Sequence, residues 1–123
     1  MRFFLAGLAI MQTGVAAAEE RRLDASEISD LLTGSTLVGE HKGVNYRQYF
    51  GENARTSLNL ADSAERVGRW RVDEADDILE IRWASSNTWQ PYRVCHADGE
   101  VMLTPPGKKP SRTGRLLNSR GFP

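Results

Sequence analysis

This sequence has little cysteine or histidine and no net charge, and each of these facts excludes some classes of protein or site. The chain has one cysteine, Cys95, and two histidines among 123 residues. A single cysteine excludes both an intramolecular disulfide and a metal site built from several thiolates. The 16 basic residues balance the 16 acidic ones, so we expect no nucleic-acid partner.

Motifs that carry chemistry are also missing. The sequence contains no Gly-x-Ser-x-Gly turn, no phosphate-binding glycine loop and no His-Glu-x-x-His helix. His41 and His96 are predicted to lie at turns and are too few to hold a metal. The acidic run Asp73–Asp77 is interpreted as a hairpin turn; a calcium loop is the alternative. We therefore predict no enzyme activity, no catalytic residues, no metal and no cofactor.

The one long apolar run lies at the N-terminus. Phe3–Met11 follows a positively charged start, and the small residues Ala16–Ala18 come before two glutamates. The run is shorter than the roughly 20 residues of a membrane span. This order predicts a signal peptide over residues 1–18, and hence a periplasmic or secreted protein. A helix buried in the core is the alternative.

A short helix is predicted within residues 19–34, the linker between the signal peptide and the strands. Asp24 and Glu27 have the spacing of a capping box, and Gly34 is placed to end the helix. Three apolar residues share one face: Ile28, Leu31 and Leu32. So short a helix is unstable alone in water, so we expect it to plug one end of a sheet.

The best-specified strands are Gly68–Val72 and Leu79–Trp83, which alternate apolar and polar residues. If paired positions sum to 151, Trp70 faces Ile81 on the apolar side. On the other side Arg71 faces Glu80, a favourable pair. In the same register Arg69 faces Arg82, which is a mildly unfavourable pair of like charges.

About seven short strands are predicted between Ser35 and Thr104, separated by turn residues. Their spacing predicts an all-β fold: a small antiparallel up-and-down β-barrel or meander over residues 35–104, with a short N-terminal helix. An open sandwich is the alternative. We expect a monomer. Cys95 is predicted to point away from the core face, where it is either covered or bridges two molecules.

The last segment differs in composition from the strands. Residues 105–123 are rich in proline and basic residues and lack acidic ones. This composition predicts a basic disordered tail.

The aromatic residues are the main candidates for a site. Five of them are predicted to face the inside of the sheet and to bind a ligand: Tyr46, Trp70, Trp83, Trp89 and Tyr92. For Trp89 this placement requires a bulge at Pro91. Two interpretations remain open. The residues form either a packed aromatic core or the mouth of a ligand-binding barrel.

Five short motifs resemble those of a known group of proteins: Leu32–Thr36, Tyr46-x-x-Tyr49-Phe50, Gly68-x-Trp70-x-Val72, Arg82-Trp83 and Tyr92-Arg93-Val94. In these the chain resembles exported, lipocalin-like small β-proteins of unknown function from proteobacteria. The resemblance covers Leu31–Leu103 and implies a lipocalin-like fold, but no known activity. The disulfide common among the relatives is absent here.

These observations predict an exported, non-enzymatic module that binds a small apolar or amphipathic ligand at an aromatic mouth. The alternative is a protein-interaction module, such as an inhibitor or an envelope accessory protein, that acts through its loops and basic tail.

Overall fold

The computed structural model describes residues 21–118, and the predicted signal peptide over residues 1–18 lies outside this range. The elements follow in chain order: β1 (Arg21–Arg22), α1 (Ala25–Leu32), β2 (Ser35–His41), β3 (Val44–Phe50), β4 (Arg55–Leu60), β5 (Arg66–Asp73), β6 (Ile78–Trp83), β7 (Gln90–Ala97), β8 (Glu100–Thr104) and β9 (Arg112–Asn118). The seven strands predicted between Ser35 and Thr104 are all present.

Strands β2 to β9 form a closed up-and-down barrel of eight antiparallel strands. Each strand pairs with the next along the chain, and β9 pairs with both β8 and β2. Closure satisfies the backbone groups that an open sheet leaves exposed at its edges. The predicted fold class, a small antiparallel up-and-down barrel with a short helix, is therefore confirmed.

The prediction of a disordered tail over residues 105–123 is wrong for Arg112–Asn118, which is strand β9. This strand alternates like the others, with Gly114 buried and Leu116 packed against the core. A Cβ on Gly114 would lie 2.3 Å from the Val38 carbonyl oxygen, so glycine lets β9 approach β2 closely. The barrel therefore extends to Asn118 rather than ending at Thr104.

The register of the predicted hairpin is confirmed. Strands β5 and β6 pair Trp70 with Ile81 and Arg71 with Glu80. The Arg71 Nε donates to Glu80 Oε1 over 2.7 Å on the outer face. The unfavourable like-charge pair predicted from the sequence is present as well, because Arg69 lies directly opposite Arg82.

Helix α1 closes one end of the barrel, resting against β2, β5 and β6. Its apolar face buries Ile28 and Leu32 completely. Asp24 and Glu27 form the predicted capping box, each side chain accepting from the other residue's backbone N–H over 2.9 Å. The β5–β6 turn also holds the helix start, because Asp77 Oδ1 accepts a hydrogen bond from the Ala25 N–H.

Substitution of the N-cap tests how much the cap contributes to the closed end. Asp24→Ala is expected to lower the free energy of unfolding by about 0.5–2 kcal/mol, because an orphan backbone donor loses its acceptor. Urea unfolding measures the change. Ser26→Ala, an exposed position in the same helix, serves as the control. Equal losses in both variants would show that the cap contributes nothing specific.

The N-terminal segment covers part of β7. Strand β1 pairs Arg22 with Cys95, and the Leu23 N–H donates to the Val94 carbonyl. Cys95 lies on the outer face, as predicted, and is half-buried there. Across residues 21–118, no helix is both long and apolar enough to cross a membrane.

Candidate functional site

Four of the five predicted site residues lie inside the barrel. Tyr46, Trp70, Trp83 and Tyr92 are 2%, 6%, 4% and 7% exposed. Trp70 is a core residue near the helix end: its indole N–H donates to the Gly51 carbonyl over 3.1 Å. Its ring meets Phe50 edge-on, with centroids 5.5 Å apart. Trp70 thus belongs to the packed core, and the other three lie nearer the opposite end.

The inward placement of Trp89 is wrong. Trp89 precedes β7 and packs on the outer face, with its ring centroid 3.9 Å from Arg71 Cζ and 5.2 Å from Arg82 Cζ. Both arginines face outward: Arg71 lies on β5 opposite Glu80, and Arg82 lies on β6 opposite Arg69. Stacking against two guanidinium groups holds the indole outside, and no bulge is needed to explain its position.

The end of the barrel opposite α1 is the candidate site. The ends of β2, β4, β6 and β8 meet there with the starts of β3, β5, β7 and β9. Several inward-facing residues at this end are partly exposed: Gly39, His41, Val44, Leu60, Gly68 and Arg112. Beneath them Leu37, Leu58 and Ile81 are buried and fill the barrel. The partly exposed inward-facing residues therefore lie at this end, which we call the mouth.

Tyr46 crosses the mouth because glycines face it on two neighbouring strands. Tyr46 pairs with Gly39, which in turn pairs with Gly114. A Cβ on either glycine would come within about 3 Å of the phenol oxygen. The hydroxyl donates to the Thr113 carbonyl over 3.0 Å. Burial raises the pKa of Tyr46 above its usual value, and the nearby positive charge of Arg112 opposes this rise. The phenol therefore stays neutral at pH 7.

Arg112 is the unexpected residue of the mouth. It lies at the start of β9 and faces inward opposite Leu103, and its Cζ is 5.5 Å from the centroid of the Tyr92 ring. Its Nε and Nη2 are buried and have no hydrogen-bond partner. Buried donors in proteins are nearly always paired, so two orphan groups on one guanidinium require an explanation.

A second guanidinium lies at the rim of the mouth. Arg66 is exposed at the start of β5, with its Cζ 4.6 Å from the centroid of the Trp83 ring. Nearby, the Tyr92 hydroxyl donates to Gln90 Oε1 over 3.1 Å. The mouth thus combines two cations with the faces of two aromatic rings.

Gln48 forms a polar group within the barrel, on the same strand as Tyr46. The Gln48 Nε2 donates to Thr56 Oγ1 over 3.0 Å, and that hydroxyl donates to the Tyr49 carbonyl over 2.8 Å. The Gln48 Oε1 is buried without a partner. The described interior therefore holds one orphan acceptor as well as two orphan donors.

Sequence reasoning missed Arg112 because it assigned residue 112 to a disordered tail. The signal was present in the alternation of Arg112, Gly114 and Leu116, which has the period of a strand. Composition outweighed it, since prolines and basic residues surround this short stretch. No three His, Cys, Asp or Glu side chains come together as a metal-binding group within residues 21–118.

Comparison with known proteins brings no match: no family model fits the sequence, and neither a curated protein nor a solved structure is significantly similar to the chain.

Proposed function

We propose that this chain is an exported, monomeric, non-enzymatic binding protein that holds a small amphipathic ligand by its anionic head group at the mouth of the barrel. The observation that carries the proposal is that two nitrogen atoms of Arg112, Nε and Nη2, are buried without a hydrogen-bond partner. The sequence of residues 1–18 supports export.

The positive charge of Arg112 lacks a counter-charge inside the barrel. Among the inward-facing residues of β2–β9 that the structure describes, none is Asp or Glu. Burying an ionised group without a partner is costly, and Arg remains charged at all ordinary pH values. A carboxylate or phosphate head group would accept one hydrogen bond from Nε and one from Nη2, in the paired geometry that guanidinium favours.

The apolar part of the ligand would contact the aromatic and aliphatic residues at the same end. The ring faces of Trp83 and Tyr92 are held there, and Val44 and Leu60 are partly exposed. Because Leu37 and Leu58 fill the barrel below, the ligand has a short apolar part. This arrangement matches the usual composition of small-molecule sites, which are mostly apolar with few placed polar groups.

A fluorescence titration with matched ten-carbon probes tests the proposal. Intrinsic tryptophan emission of the mature protein is followed against decanoate, 1-decanol and decyltrimethylammonium. We expect saturable one-to-one binding of decanoate and weaker binding of the other two. Arg112→Met should weaken decanoate at least about tenfold, since a hydrogen bond to a charged group contributes about 1.5–3 kcal/mol.

The control for this titration lies on the same strand. Arg115 of β9 is exposed on the outer face, so Arg115→Met should leave decanoate binding unchanged. A flat response to all three probes would overturn the proposal and favour the alternative, a protein-interaction module that acts through its loops. Equal affinity of the wild type and Arg112→Met for decanoate would overturn the role of Arg112.

The ligand-free protein provides an independent test of the orphan donors. Arg112→Met is expected to raise the free energy of unfolding by about 1–3 kcal/mol, because two desolvated nitrogen donors are replaced by an apolar side chain. Urea unfolding without ligand measures it, with Arg115→Met as reference. A loss of stability in Arg112→Met would mean that the guanidinium is satisfied in solution.

A further inference from the structure

Three arginines form a continuous row across the outside of the barrel. Arg55 on β4 lies directly opposite Arg69 on β5, which lies directly opposite Arg82 on β6. We call these three residues the arginine row. Neighbouring strands are about 4.8 Å apart, so the row spans about 10 Å. Like charges directly opposite each other destabilise a sheet, and here two such pairs occur on successive strands.

No salt bridge neutralises the row within the part of the chain that the structure describes. The salt bridges there are Arg21–Glu27 and Arg71–Glu80. Glu80 is the outward-facing acid nearest the row along β6, and Arg71 occupies it at 2.7 Å. The balanced total charge of the chain therefore hides a local excess of positive charge on this face.

A groove follows the row. It has a volume of 360 Å³ and is lined by the three arginines together with Gly68, Trp83, Ser86 and Asn87, so it adjoins the rim of the mouth. A second groove, of 490 Å³, shares Arg55, Val67 and Gly68 with the first and continues toward Tyr49 and Glu52. The positive charges thus line a concave surface, where a ligand can contact several of them at once.

One end of the row is held in place by an aromatic side chain. The ring of Trp89 lies 5.2 Å from Arg82 Cζ and 3.9 Å from Arg71 Cζ. Stacking orients the Arg82 guanidinium but leaves its charge uncompensated, whereas Arg71 is compensated by Glu80. This difference makes Arg82 the available cation of the pair.

The face beside the row is partly apolar. Tyr49 and Val67 are 40% and 52% exposed, and both lie opposite Ser57 in the strand next to them. These residues and the row line the two joined grooves. An exposed tyrosine and valine next to uncompensated arginines are typical of a contact surface and not of a purely solvated one.

From these observations we infer that the arginine row is a second binding site, on the outer face next to the rim of the mouth, for a small multivalent oxyanion. The ligand carries two or more phosphate or carboxylate groups spaced to meet successive strands. Guanidinium groups bind both kinds of oxyanion through paired hydrogen bonds. Binding would remove the repulsion between the opposed arginines, which explains why the like charges lie in register.

Calorimetric titration of the mature protein with tripolyphosphate at low salt tests this site. We expect one-to-one saturable binding that weakens as salt is added, because the contact is electrostatic and exposed. Arg69→Gln, at the centre of the row, should weaken tripolyphosphate at least tenfold. Arg115→Gln, an exposed arginine on β9, should change the affinity less than twofold.

Further arms separate the alternatives. A second titration with citrate in place of tripolyphosphate distinguishes a carboxylate ligand from a phosphate ligand. Tighter binding of either anion supports an oxyanion site at the arginine row. Arg112→Met should leave tripolyphosphate binding unchanged, and a loss there would place the anion in the mouth and overturn the second site. The second site would also be overturned if tripolyphosphate did not bind, or if Arg69→Gln and Arg115→Gln weakened its binding equally. Should Arg69→Gln fail to fold, Arg55→Gln replaces it.

Discussion

A chain that ends at Ser111 is expected to show no cooperative thermal unfolding transition. This truncation removes β9, which pairs with β8 on one side and with β2 on the other. Both neighbours then become open edges, and the core loses the cover of Gly114 and Leu116. A small domain is stable by only about 5–15 kcal/mol, so losing one of the eight barrel strands is expected to exceed that margin.

The matched control is a chain that ends at Asn118, which keeps all of β9. It should melt cooperatively at nearly the temperature of the full chain, as measured by circular dichroism. The chain ending at Ser111 should also aggregate, since unpaired edges template intermolecular pairing. If it melted cooperatively within a few degrees of the control, β9 would not be an integral part of the barrel.

Trp70→Ala is expected to destabilise the protein by about 3–5 kcal/mol, the range for removing a large buried aromatic side chain. Trp70 packs edge-on against Phe50 beneath helix α1, and its indole N–H is paired with the Gly51 carbonyl. The substitution leaves a cavity and removes one of the two donors to the Gly51 carbonyl, which then keeps only the Ala54 N–H at 3.3 Å. Urea unfolding measures the change.

Trp89→Ala is the comparison that separates the inside of the barrel from the outside. Trp89 contacts Arg71 and Arg82 on the outer face, where cation–π contacts contribute about 0.5–1 kcal/mol each. Its loss should therefore cost clearly less than that of Trp70. If Trp70→Ala lowered the free energy of unfolding by less than about 1 kcal/mol, the result would contradict the burial of Trp70 in the core.

The two proposed binding sites differ in how far the sequence leads toward them. The opposition of Arg69 and Arg82 follows from the hairpin register alone, so that part of the arginine row is predictable. The third member, Arg55, requires the pairing of β4 with β5. Arg112 requires more, because its inward direction depends on β9 closing the barrel.

Local patterns determined the elements of this protein. The capping box of Asp24 and Glu27, the alternation of the strands and the register of Trp70 with Ile81 all involve residues near one another in the chain. Such signals follow from backbone geometry, since side chains repeat every two residues in a strand and every 3.6 in a helix. The same signals account for the aromatic core, whose members share faces by alternation.

Only the tertiary structure decided which strand closes the barrel and which aromatic side chain stays outside. Closure depends on Gly39 meeting Gly114, far apart in the chain, where missing Cβ atoms permit close approach. Trp89 lies outside because two arginines from neighbouring strands hold its ring there. Contacts of this kind form between distant segments, so no local period encodes them. The interior position of Arg112 follows from the same closure.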